Sequence, residues 1–172
     1  TGLGLDASMA QNKTVVHVLK LDYVSDNSSL EVSSDDDKQS AKKSTLGYSF
    51  IKILNEKAGK SLSADLSLVS NAAVGKNNNY SKSILGLTYS FPWTALYKGS
   101  SKLEYTDLKY PDNSNSRKDS IIVASVAATK DLSKTKNISM NFAYTINSSN
   151  VDSYKYNKFL LGFLFTYSGN YL

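Results

Sequence analysis

The sequence predicts an all-β fold, an antiparallel up-and-down β-barrel, and three segments carry this prediction. In 159–168, large apolar residues occupy every odd position from Phe159 to Tyr167. The same two-residue period recurs in 138–146 and in 85–91. Because successive side chains of a strand point to opposite faces, this period indicates strands with one apolar face. Residues 1–172 are therefore predicted to form a single β-barrel domain or the C-terminal part of one.

Nine strands are predicted along the chain, within a range of about eight to ten. They lie at 2–10, 14–24, 45–54, 61–71, 83–92, 101–110, 119–129, 137–147 and 158–168. Each is about ten residues long, which is the length that a tilted strand needs to cross the hydrocarbon of a bilayer. Pro92 and Pro111 fall at strand ends, where the missing N–H group does not interrupt a sheet.

The connections between these strands alternate in length. Short polar connections follow the first strand at 11–13, the third at 56–60 and the seventh at 130–136, and Gly59 supplies a residue that tolerates a positive φ angle. Longer polar loops follow the even-numbered strands, at 25–44, 72–82, 111–118 and 148–157. The connection at 93–100 is longer and more aromatic than the other short ones. Short turns on one side and long loops on the other are typical of outer-membrane barrels, with the turns in the periplasm and the loops outside.

The polar positions of the strands are mostly Ser, Gly, Ala, Thr and Asn, whereas a soluble strand usually shows charged residues to water. This combination indicates a membrane barrel with lipid outside and a wet interior. Six charged residues share the polar positions, and in an interior they would pair or would set the selectivity of a pore. They are Asp6, Lys20, Asp22, Asp65, Lys102 and Glu104.

Composition excludes several other classes of protein. No run of eighteen apolar residues is present, so no transmembrane helix is predicted. The chain has no cysteine, which excludes a disulfide scaffold and thiolate metal sites. The net charge is +5, but Arg117 is the only arginine and the lysines are scattered through turns, so no nucleic-acid partner is predicted. No phosphate loop, zinc spacing or nucleotide fingerprint occurs, and no cofactor is predicted.

The only histidine and an acidic triplet are candidate sites. His17, the only histidine, shares its parity with Leu19 and Leu21, which places it on the apolar face without a nucleophile, so no enzyme is predicted. Asp35, Asp36 and Asp37 lie in the longest loop, with Asp26 and Glu31 nearby, and hard oxygens of this kind could hold Ca²⁺ or Mg²⁺. Their spacing is not that of an EF-hand, and a solvated acidic loop is the favoured interpretation.

The repeated amphipathic strands and the terminal hairpin, 146–158 followed by the apolar strand, resemble a bacterial outer-membrane β-barrel along the whole chain. The hairpin is similar to the closing hairpin of barrels that are attached to helical-repeat domains in surface export systems. The resemblance implies a bacterial outer-membrane location, with the lipid bilayer and lipopolysaccharide as partners. A closed single-chain barrel has an even number of strands, whereas nine are predicted here. Either residues 1–10 are not a membrane strand and eight strands remain, or upstream strands or another subunit complete the barrel, which is the favoured interpretation.

Two functions remain open. The first is an outer-membrane barrel that serves as a pore or as the membrane part of an export or surface-assembly apparatus. The alternative is a soluble lipocalin-like barrel, in which the apolar residues would point inward around a small apolar ligand. Turning a barrel inside out preserves the two-residue period, so the alternation alone does not separate them. The small polar residues and the aromatics near strand ends favour the membrane barrel.

Overall fold

A computed structural model describes residues 1–27, 34–133 and 135–167. Nine strands form one antiparallel sheet in which each strand pairs with the next along the chain. They are β1 (Gly2–Asn12), β2 (Val15–Asp26), β3 (Ala41–Asn55), β4 (Lys60–Ala73), β5 (Tyr80–Pro92), β6 (Tyr97–Lys109), β7 (Lys118–Ser133), β8 (Lys136–Ser149) and β9 (Tyr156–Tyr167). The described residues contain no α-helix, only three short 3₁₀ turns, at Asp35–Asp37, Lys76–Asn78 and Asp152–Tyr154. The predicted all-β, antiparallel, up-and-down arrangement is confirmed.

All nine predicted strands are present, and most are longer than the sequence indicated. The expected long connection at 93–100 is wrong, because strand pairing continues as far as Pro92 and Lys98. A backbone hydrogen bond of 2.9 Å from Trp93 N–H to the Tyr97 carbonyl closes the turn, which leaves only 93–96 between β5 and β6. The alternative in which 2–10 is not a strand is also wrong, because β1 pairs with β2 along its length.

The sheet has two different ends. At one end, short connections join β1 to β2, β3 to β4, β5 to β6 and β7 to β8. These connections are, in the same order, 13–14, 56–59, 93–96 and 134–135. We call this the turn end. At the other end, which we call the loop end, the connections are 27–40, 74–79, 110–117 and 150–155. The predicted asymmetry of connection length is therefore a property of the fold.

The sheet is open. β1 and β9 lie at opposite edges of the nine-strand order, and neither pairs with the other. The sequence predicted that these residues would not close a barrel by themselves, and this part of the prediction is confirmed for the described residues.

The two faces of the sheet differ in chemistry and in exposure. The face that carries Leu3, Leu66 and Phe163 is apolar, and its large side chains are exposed. The opposite face, the polar face, alternates with it and is mostly half-buried, as the burial along β4 illustrates. Ala143 is the only residue with a buried apolar side chain in the described part of the chain, and the other buried residues are polar or are glycines (Gly75, Gly86 and Gly99). These nine strands thus have no apolar core of their own, and the unequal burial is what a sheet curled with its polar face inward produces.

The apolar stretch crosses the sheet obliquely. Leu5 lies in register with Leu21, Leu46 and Leu68, but the same row continues through Ser83, Asp107, Ser120 and Ser148. On β9 the apolar stretch is centred on Phe163, whose row passes through Met140 and Phe91 instead. From β1 to β9, the centre of the apolar stretch moves along the strand direction by roughly seven residues, which is about 23 Å. Across the sheet, β1 and β9 are separated by eight strand spacings of about 4.8 Å each. A flat apolar band would therefore require the strands to tilt by about 30°, close to the tilt of barrel strands.

Candidate functional site

The polar face is the first candidate site, because all six charged residues predicted to share it do lie on it. Strand alternation and register place them in two groups. Asp6, Lys20 and Asp22 lie on the neighbouring strands β1 and β2, and Asp65, Lys102 and Glu104 lie on β4 and β6. The two groups are separated by β3, which contributes Gly47 and Ser49 between them.

The group on β1 and β2 contains one lysine between two carboxylates. Asp6 and Lys20 are directly opposite each other in the β1–β2 register. Lys20 Nζ lies 3.4 Å from Asp22 Oδ2, and the lysine side chain is more than half exposed. The Asp22 carboxylate leans over Gly4, where a Cβ atom would meet Asp22 Oδ1 at 2.8 Å. This group therefore presents one more negative than positive charge to the solvent on this face.

The group on β4 and β6 is arranged around Gly86 of β5, which lies in register between Asp65 and Glu104. Lys102 Nζ forms an ion pair of 2.7 Å with Glu104 Oε2. Asp65 Oδ1 accepts a hydrogen bond of 2.6 Å from Ser49 Oγ. A Cβ atom at Gly86 would lie 3.7 Å from both Asp65 Cβ and Lys102 Cε, so the glycine leaves a gap between the two charged side chains.

The polar face carries further charges that the sequence reading missed, most of them nearer to the strand ends. They are Asp26, Lys43, Lys82, Lys98, Asp119, Asp131 and Lys158. Lys98 and Asp131 form an ion pair of 2.7 Å across the β6–β7 register. Positive and negative charges are nearly balanced over the whole face. A surface with nearly balanced charges attracts neither cations nor anions strongly.

A second candidate site, at the loop end, is centred on Arg117 and was not predicted as a site. Arg117 Nη2 and Nε lie 2.7 and 2.8 Å from Asp119 Oδ2. The guanidinium carbon lies 4.1 Å from the ring centre of Tyr110 and 3.7 Å from that of Tyr154. Asp119 is only 2% exposed, and its Oδ1 has no hydrogen-bond partner in the structure. The only available signal in the sequence was that Arg117 is the sole arginine.

The electrostatics of this Arg117 cluster follow from its burial. Burial alone would lower the pKa of Arg117, but the hydrogen bond to Asp119 raises it above its ordinary value. Burial also raises the pKa of the Tyr110 hydroxyl, against the opposing effect of the Arg117 charge. Arg117 is therefore a permanent cation that joins the loop 110–117 to the loop 150–155 through Tyr154.

Side-chain amides connect the neighbouring loops into one layer, which we call the loop layer. Asn77 Nδ2 donates to Asp37 Oδ1 at 2.8 Å, and Asn113 Nδ2 donates to Asn77 Oδ1 at 3.1 Å. Asn79 also donates to Asp112. Asn150 Nδ2 donates to the Ser116 carbonyl at 3.3 Å. The described parts of all four loops are thus linked from β2 to β9.

The acidic triplet is part of this loop layer. Asp36 N–H donates to Ser34 Oγ at 3.2 Å at the start of the 3₁₀ turn. Lys38 lies 2.8 Å from Asp35 Oδ1, and its hydrogen bond lowers the pKa of that carboxyl group. Across the described ranges, no three acidic or histidine side chains come together as metal ligands. Asp35 and Asp37 instead have protein partners, while Glu31 lies outside the described residues.

His17 lies on the apolar face, as its parity predicted. Its Nδ1 is 2.7 Å from Tyr48 Oη, and its Nε2 is 3.2 Å from Gln11 Oε1. The ring is also 5.5 Å from the ring of Phe50. These partners are a phenol, an amide and an aromatic ring, so His17 links Tyr48, Gln11 and Phe50 on the apolar face.

No protein-family model, no curated protein and no solved structure matches this chain. Within the described ranges, no helix is long and apolar enough to cross a membrane. What the fold itself defines is an open, nine-stranded antiparallel meander with one apolar face and one polar face.

Proposed function

We propose that this chain forms the wall of a bacterial outer-membrane β-barrel, which serves as a pore or as the membrane part of an export or surface-assembly apparatus. The observation that carries the proposal is the apolar face, which runs over all nine strands and is exposed. Single soluble proteins seldom expose contiguous apolar patches larger than a few hundred Å². A bilayer covers such a face completely, so the lipid bilayer and lipopolysaccharide are the proposed partners.

The polar face supports the same proposal. Its midsection is built from Ser49, Asp65, Gly86, Thr88 and other small or charged residues. Lys102 pairs there with Glu104, and Asp65 accepts a hydrogen bond from Ser49. This is the composition of a wet barrel interior. The near balance of its charges favours a passage with little ionic selectivity over a strongly cation- or anion-selective pore.

Aromatic residues near the turn end fit a membrane interface. The ring of Phe91 lies 5.2 Å from that of Tyr89 and 5.6 Å from that of Trp93. The site of a Cβ atom on Gly99 lies only 2.8 Å from the Phe91 ring, so the glycine makes room for this stack. Tyr and Trp prefer the headgroup region, because one end of the side chain is apolar and the other is polar.

The alternative, a soluble lipocalin-like barrel that binds a small apolar ligand, requires the opposite curvature. In such a barrel the apolar side chains line the interior and are the more buried set. Here the apolar side chains are the more exposed set, which favours the membrane barrel.

Accessibility of single cysteines tests the proposal, because the chain has no cysteine of its own. Leu66→Cys and Ser67→Cys are adjacent on β4 but lie on opposite faces. We expect a membrane-impermeant, water-soluble maleimide to label Ser67→Cys through the interior, and a lipid-soluble maleimide to label Leu66→Cys. The protein should also require detergent for extraction. Equal labelling of both sites by the water-soluble reagent, or a protein that stays in buffer without detergent, would contradict the proposal.

A further inference from the structure

The two edge strands run in the same direction. Nine antiparallel strands alternate in direction, so β1 and β9 both run from the loop end to the turn end. If these two edges met directly, they would form a parallel pair in an otherwise antiparallel sheet. Antiparallel closure requires an odd number of additional strands between them.

Neither edge is protected from pairing along most of its length. Soluble sheets protect their edges with lysine, proline or bulges. β1 has no proline and no lysine, Asp6 is its only charged residue, and its register shift between Ala10 and Asn12 lies close to the turn end. β9 has no proline, and Lys158, near its loop end, is its only charged residue. In hydrocarbon, unpaired backbone groups along such edges are not tolerated.

β9 is also apolar on its inner side. Leu160 and Leu164 lie on the polar face, where they are 57% and 62% exposed. Their register partners on β8 are the small residues Ala143 and Ser139, which leave most of both leucines uncovered. A strand with apolar residues on both faces indicates cover on both faces. A neighbouring strand that covered these two leucines would need apolar side chains on the same face.

A second copy of the nine strands does not fill the gap. In the same orientation, each β9 would meet a β1 of the partner copy, and both seams would be parallel. In the inverted orientation the seams would be antiparallel, but the loop ends of the two copies would lie on opposite sides of the membrane. Neither arrangement agrees with an antiparallel barrel whose long loops share one side.

We infer that an odd number of further membrane-spanning strands of the same polypeptide fills the gap between β1 and β9. The strand against β9 packs apolar side chains onto Leu160 and Leu164. This inference rests on the proposed membrane barrel.

Crosslinking in the full-length protein, expressed in its own cells without other cysteines, tests this inference. Ser8→Cys on β1 is combined in turn with Leu160→Cys, Gly162→Cys and Leu164→Cys on β9. Ser8→Cys with Val18→Cys is the positive control, because these residues are register partners. We expect the control pair to form an intramolecular disulfide on mild oxidation and the three β1–β9 pairs to form none. A β1–β9 disulfide within one chain would show direct closure, and one between chains would show a second copy, and either would overturn the inference.

Two further measurements identify what lies in the gap. The backbone amides of β1 that point away from β2, and those of β9 that point away from β8, should exchange with deuterium at least about tenfold more slowly than the amides of 110–117, because both edges are paired. Fast exchange at either edge would overturn the inference. A photo-crosslinking amino acid at Leu164 should give an intramolecular product without added mass, and an adduct to another polypeptide would overturn the same-chain assignment. If the protein is not membrane-inserted, the proposed function fails instead, and extraction without detergent reveals this separately.

Discussion

Arg117 and Asp119 form an ion pair of 2.7 Å in which the carboxylate is almost wholly buried and the guanidinium lies between the rings of Tyr110 and Tyr154. The two residues are separated by one position at the start of β7. Through Tyr154 this pair joins the sixth and eighth connections of the sheet, which are not adjacent in sequence. It is the most enclosed charged group of the described residues at the loop end.

Removing Arg117 should destabilise the protein strongly. Arg117→Ala leaves the buried Asp119 carboxylate without its counter-charge and should cost about 3–5 kcal/mol of unfolding free energy. The loss of unfolding free energy for Arg117→Lys should be smaller than for Arg117→Ala, because lysine keeps the charge but lacks the flat guanidinium that stacks on both rings. Urea unfolding, followed by the fluorescence of the single Trp93, measures both. A stability of Arg117→Ala equal to that of the parent would show that the pair contributes nothing.

Gly75 marks the tightest approach between two loops. A Cβ atom at this position would lie 2.5 Å from both the Asp36 carbonyl and the Lys38 nitrogen. Because both are backbone atoms, Gly75→Ala should separate the loops and cost about 1–3 kcal/mol. The matched control is Gly162→Ala, where no atom lies within 4 Å, and it should be much closer to neutral. Similar losses of stability for the two variants would contradict the steric explanation.

A charge on the apolar face should prevent stable insertion. Phe163 lies at the centre of the apolar stretch of β9, so Phe163→Arg should cost about 2–4 kcal/mol of folding free energy in a bilayer. Ser67→Arg, on the polar face of β4, should cost far less. Folding into lipid vesicles at a series of urea concentrations measures the difference. If both arginine variants fold equally well, Phe163 does not face lipid.

The proposed orientation places the loop end outside the cell. A peptide tag after Ser114, an exposed residue of the loop 110–117, should be reached by antibody on intact cells, and a tag after Ala58 in the turn 56–59 should not. A tag after Asp36, in the loop 27–40, is less suitable than one after Ser114, because the Asp36 carbonyl packs closely against Gly75. Antibody binding to the Ala58 tag alone on intact cells would reverse the assigned orientation.

Much of this fold is visible in local sequence. Alternation in β9, from Phe159 to Tyr167, predicts a strand and its apolar face, because the strand period is a local property of the backbone. The same reasoning placed Asp65 and Lys102 on the polar face and His17 on the apolar face. The connection after Pro92 was misjudged, because Trp93 and Tyr97 look like part of a long aromatic loop until the backbone hydrogen bond between them is seen.

Local sequence alone determined the class of the fold, the number of strands and the face of residues in the middle of the strands, because all three follow from the period of two and from turn residues. The tertiary structure alone decided which side chains meet across strands and loops. Register brings Asp6 opposite Lys20 and places Gly86 between Asp65 and Glu104. Packing of the loops brings Tyr154 onto Arg117, which is 37 residues away. These contacts join residues distant along the chain, and no local period encodes such distances.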